Sequence, residues 1–68
     1  MNPYPEKGDI WRDDDNEYIM FMTEPHYDGE QDVIIATILK LKTGKKQLRY
    51  FEVDEKTGTL YDWWERIG

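Results

Sequence analysis

The chain has 68 residues, with fifteen acids against nine lysines and arginines, one histidine and a formal net charge of −6. That length admits one small domain near the lower size limit for independent folding, and it excludes a large buried core. Cysteine is absent and aromatic residues make up 15% of the chain, so disulfides and thiolate metal sites are excluded and heavy rings must build the core.

Residues 1–7 contain Pro3 and Pro5 and predict an extended, polyproline-like arm. This start is polar and lacks the basic-then-apolar order of a signal peptide. Gly8 opens a run, Asp9-Ile10-Trp11-Arg12, that reads as a first strand with Trp11 in the core. Asp13-Asp14-Asp15-Asn16 is turn chemistry, because short carboxylates and amides bond their own backbone and tolerate left-handed conformations. A second strand is expected over 17–23, with Tyr18, Met20 and Met22 on one face and Ile19 and Phe21 on the other. Residues 24–31, punctuated by Pro25 and Gly29, are expected to be irregular and solvated.

Residues 32–42 predict the third strand, since Val33-Ile34-Ile35 and Ile38 are too β-branched to prefer a helix. Their apolar stretch is interrupted by Thr37 and is far too short to span a bilayer, so a cytoplasmic protein is expected. Thr43-Gly44 marks a tight hairpin into a fourth strand over 46–54. A tip at 42–45, or one residue beyond, sets Leu41 near Leu48, Leu39 near Tyr50, Ile38 opposite Phe51 and Ala36 opposite Val53. Both faces of that hairpin are then apolar, which a strongly curled sheet resolves by changing the buried face along each strand. Gly58 closes a second hairpin into a last strand over 59–61. Asp62-Trp63-Trp64-Glu65 follows the capping-box pattern and predicts one short helical turn near the C-terminus. The fold expected from these elements is mostly β: a single five-stranded antiparallel small barrel with that helical turn.

This order of short strands and tight turns resembles an SH3-like barrel. The opening Gly8-Asp9-Ile10-Trp11 followed by an apolar strand also resembles the start of MazF-type toxin barrels and of small phage-encoded proteins, over about the first third of the chain. The resemblance implies the barrel and not the chemistry: Arg12 is the only arginine before Arg49, so the catalytic arrangement of those toxins does not transfer.

Catalysis fails on inventory. The chain has no serine and no cysteine, and His26 is the only imidazole to serve as a base. Its five glycines are dispersed and no Gly-Lys-Thr segment exists to cradle a phosphate. Asp13, Asp15 and Glu17 alternate as at the start of a calcium loop, but Tyr18 stands where that loop needs glycine. Neither an enzyme, a metal nor a cofactor is expected.

Charge is unevenly placed. Residues 1–32 hold ten acids against Lys7 and Arg12, whereas 33–68 hold five acids against seven bases. The acidic half disfavours direct binding to a phosphate backbone and favours a protein partner with a basic surface. The expected contact residues are Asp13, Asp14, Asp15, Tyr27, Asp28, Glu30, Asp32 and Trp64. Trp63 and Trp64 cannot both point inward, so one plugs the barrel while the other packs on Tyr61 or the arm, or anchors a partner. The expected role is a non-enzymatic protein-binding module, such as a phage or mobile-element accessory protein that inhibits a host nucleic-acid-binding factor. Self-association through a strand edge, and sequestration of a small ligand or peptide between aromatics, are the alternatives.

Overall fold

In the computed structural model, which describes residues 1–68, the chain forms seven strands and no helix. These are β1 (Ile10–Arg12), β2 (Tyr18–Phe21), β3 (His26–Asp28), β4 (Val33–Lys40), β5 (Lys45–Asp54), β6 (Thr59–Leu60) and β7 (Glu65–Arg66). Every pairing is antiparallel, in the order β6-β5-β4-β2-β1-β7, with β3 added on β4 beside β2.

Turn chemistry sets the hairpins. Asp13 Oδ1 accepts the backbone N–H groups of Asp15 and Glu17, both at 2.9 Å. Asn16 then takes the left-handed conformation, φ 62°, that an amide side chain tolerates. The hairpin between β4 and β5 closes over Leu41-Lys42-Thr43-Gly44, where Gly44 N–H donates to the Lys40 carbonyl at 2.7 Å and φ is 72°. Because glycine must hold this closing position, the turn comes earlier than expected and the register is corrected. Ile38 faces Gln47 rather than Phe51, Ala36 faces Arg49 rather than Val53, and Leu39 faces Lys46 rather than Tyr50. The shift is even, so every side chain keeps its face.

β2 and β3 are one bent strand that shares a single edge of β4. Pro25 offers no N–H to the ladder. Across the bend Met22 N–H donates to the Thr37 carbonyl, while Thr37 N–H donates to Thr23 Oγ1 at 3.1 Å in place of a backbone acceptor. Residues 24–31, expected to be irregular, therefore contain β3.

The sheet must curl. Its two outermost strands, β6 and β7, are joined only by Tyr61, Asp62, Trp63 and Trp64, a link that spans about 17 Å at most. Edges of a flat six-strand sheet would lie about 24 Å apart. The result is a half-barrel. Its concave face holds Trp11, Ile19, Phe21, Ile34, Ala36, Ile38, Phe51, Val53, Leu60 and Trp64. Four of these rings form a continuous aromatic spine. Trp11 meets Phe21 edge-on, Phe21 stacks on Phe51 at 5.4 Å, and Phe51 meets Trp64 edge-on at 5.4 Å.

Two expectations are corrected here. The half-barrel has seven strands rather than five, the additions being β3 and β7. The C-terminal helical turn is absent: Tyr61 to Trp64 is one turn, closed by Trp64 N–H donating to the Tyr61 carbonyl at 3.0 Å. Beyond it the chain extends so that Glu65 and Arg66 can pair with Arg12 and Trp11. A ladder with β1, together with burial of Trp64, outweighs the few hydrogen bonds of an isolated helical turn. No helix is long and apolar enough to cross a membrane.

Candidate functional site

The register of β7 decides the fate of the adjacent indoles. Arg66 pairs with Trp11, which points inward, so Trp64, two residues before it, points inward as well. Trp64 is 6% exposed and Trp63 is 49% exposed. The expected anchor is thereby corrected: Trp64 is a core residue, and Trp63 is the indole available for contact. Trp63 stacks on Tyr61, with centroids 4.4 Å apart and planes within 4°.

Carboxylates surround that exposed indole. On one side a groove of about 300 Å³ is lined by Asp13, Asp14, Asp15, Tyr50, Glu52 and Trp63, with Arg49, Phe51 and Trp64 at its base. On the other side Trp63 borders a second hollow with Arg12, Asp13, Asp14, Asp62 and Glu65. Asp13, Asp14 and Asp15 bring their carboxylates within 4.8 Å of one another, held by the Asp13 turn. Neither Asp14, Asp15, Glu52 nor Asp62 takes part in an ion pair within the chain, so their charge is directed outward.

Not all of the local charge is free. Arg49 lies over the rings of Phe51 and Trp64 at 5.1 and 5.2 Å and pairs with Glu17 at 2.9 Å. It caps the mouth of the aromatic core, and Glu17 also meets Lys40 at 3.9 Å. Arg12 is likewise taken, by Glu65 at 2.7 Å; its guanidinium pKa is raised by bonds to Tyr18 and then to Glu65.

The remaining predicted contact residues form a second group at the turn between β3 and β4. Asp28 Oδ1 accepts the N–H groups of Glu30 and Gln31, and Asp32 closes the turn with φ 56°. Tyr27 donates its hydroxyl to Asp32 Oδ1 at 2.6 Å. Tyr27 and Asp32, with Tyr4, Val53, Glu55 and Gly58, line a cavity of about 520 Å³. Glu30 stands exposed at the turn and lines neither groove.

Tyr61 links the two groups. Its phenol pKa is raised by partial burial and then by the negative charges of Asp54, Glu52, Glu55 and Asp32. Carboxylates and rings thus run through both groups, with Tyr27 and Trp63 exposed and Tyr61 half-buried against Trp63. Trp63, Tyr61, Tyr4, Glu52 and Asp62 were not among the expected contact residues. The usable signal was the adjacent tryptophan pair, which required one indole outside without saying which.

His26 is exposed on the convex face opposite Ile35, and the Thr23 hydroxyl is committed to the Thr37 N–H. Comparison with known proteins finds no match: no family model fits the sequence, and no curated protein or solved structure is matched by it.

Proposed function

We propose that this chain is a non-enzymatic binding module that takes a basic segment of a protein partner in the groove beside Trp63. The observation that carries the reading is an exposed indole, backed by Tyr61 and flanked by Asp13, Asp14, Asp15, Asp62 and Glu52. Such a site fits a lysine or arginine side chain twice over: the ring face attracts the cation, and the carboxylates bond its N–H groups. The acidic band extending to Tyr27 and Asp32 steers a basic surface toward this anchor.

Short antiparallel strands curled around one aromatic core support reading the half-barrel as SH3-like. A small acidic module of this kind suits a phage or mobile-element accessory protein acting in the cytoplasm. A host nucleic-acid-binding protein presents the lysines and arginines that this surface would occupy, in competition with phosphate. Self-association by strand addition is an alternative: β6 and β7 are two residues each, but β6 pairs only with Val53 and Asp54, so no strand pairs with the outer edge of β5 over 45–52. A second reading, capture of a small ligand, draws on the cavity between Tyr4 and Tyr27.

The test is titration of the protein with Arg- and Lys-rich peptides, followed by indole fluorescence and calorimetry. Binding should weaken as salt rises, and Trp63→Ala should lower affinity by about tenfold or more while leaving the unfolding temperature near that of the parent. Affinity that ignores ionic strength, or survives loss of Trp63, would defeat the reading.

A further inference from the structure

We propose that the convex face of β4 and β5 is a homodimer interface, in which two copies stack face to face with their strands antiparallel. This surface shares Tyr50 and Glu52 with the rim of the Trp63 groove but does not use the indole, and its self-association is read apart from peptide binding.

Cross-strand pairing sets four rows on that face. Leu39 stands beside Lys46, Thr37 beside Leu48, Ile35 beside Tyr50, and Val33 beside Glu52. The opposite faces of both strands form the core, so these side chains point away from it. No part of the chain covers them fully: Leu48 is 59% exposed and Tyr50 is 55% exposed. An antiparallel sheet solvated on one face ordinarily shows polar residues there, and on these two strands the polar positions are Thr37 and, in the two end rows, Lys46 and Glu52.

Charge identifies the occupant. The apolar middle is bounded by Lys46 at the hairpin end and Glu52 at the far end, and neither makes an ion pair within the chain. A two-fold axis along the strands would lay Lys46 over Leu39 and Glu52 over Val33, leaving four charges against apolar side chains. An axis across the strands exchanges the rows instead. Lys46 of each copy then meets Glu52 of the other, and Leu48 meets Tyr50, each pair occurring twice as an isologous contact requires. The surface is self-complementary in this orientation alone. Sheets packed this way lie about 10 Å apart at roughly −30°. Because the half-barrel is convex, contact is confined to these two strands.

Sedimentation velocity of the full chain at low ionic strength tests the interface across the micromolar to millimolar range. A concentration-dependent dimer is expected. Lys46→Glu and Glu52→Lys singly should each weaken it by about tenfold or more, because each sets like charges opposite one another twice. The double variant K46E/E52K should restore it, and Leu48→Glu should abolish it. All of these positions are exposed, and circular dichroism checks that each variant retains the β spectrum. A chain that stays monomeric throughout the range overturns the proposal. So does a dimer that tolerates Leu48→Glu, or one that the double swap fails to rescue.

Discussion

The phenol of Tyr27 donates to Asp32 Oδ1, and that bond is the first cause of a pKa raised above the ordinary 10.0, ahead of desolvation and of the charges of Asp32 and Asp28. Asp32 in turn occupies the left-handed closing position of its turn. One side-chain contact therefore holds both a turn and a wall of the cavity shared with Tyr4, whose own phenol pKa is raised by burial. The folded-state pKa of Tyr27 lies above the unfolded one. Its contribution to stability is thus fully present below the ordinary tyrosine range and is lost as pH rises through the raised folded value. An NMR titration of the Tyr27 ring should find ionisation above 10.0, and Asp32→Asn should move it back down. Ionisation unchanged by that substitution would mean that the hydroxyl does not depend on the carboxylate.

Among the elements, the hairpin from β4 to β5 organises the sheet, since every other strand except β1 and β7 pairs directly with one of its two arms. Its register rests on Gly44. A Cβ there would meet nothing within 4 Å, so the cost of Gly44→Ala is conformational and not steric. For an L-residue held in the left-handed region that cost is about 1–2 kcal/mol. Urea denaturation should show Gly44→Ala destabilised by this amount. Gly29→Ala, where φ is not positive and the nearest atom is Tyr27 Cε2 at 3.5 Å, should stay within about 0.5 kcal/mol of the parent. Equal effects at the two glycines would argue against the turn geometry as the source.

At the scale of the molecule, the N-terminal arm is part of the fold and not a tail. Pro5 is buried, and the Pro3 carbonyl accepts the Thr59 hydroxyl at 2.9 Å. Asn2 Nδ2 donates toward the carbonyls of Leu60, Tyr61 and Trp64 at 3.3, 3.0 and 2.9 Å. The arm thereby holds β6 to the turn that carries Trp63, across the place where the curled sheet does not close on itself. Asn2→Ala removes these bonds and should cost about 1–2 kcal/mol, lowering the unfolding temperature of a domain this size by roughly 4–16 °C. Hydrogen exchange should quicken at Trp64 and its neighbours in the same variant. An unchanged melting curve would reduce the arm to a passenger.

Much of this was legible in the residues themselves. Alternation placed Ile19 and Phe21 on one face, and the β-branched run starting at Val33 made the long central strand. Asp13 and Asn16, Gly44 and Gly58 marked the turns, because a backbone that needs a left-handed residue or a local acceptor chooses its side chain locally. The Gly44 turn nonetheless begins earlier than expected and moves the β4–β5 register by four residues. Trp11 was assigned to the core because it lies inside a strand, and it is fully buried. Three matters were settled only by contacts between residues far apart in the chain. β3 lacks an apolar alternation and exists because β4 has an edge to share. β7 is two residues long and exists because β1 offers a ladder fifty-odd residues upstream. That same ladder turned Trp64 inward and left Trp63 exposed, a choice between adjacent identical side chains that local preference has no means to make.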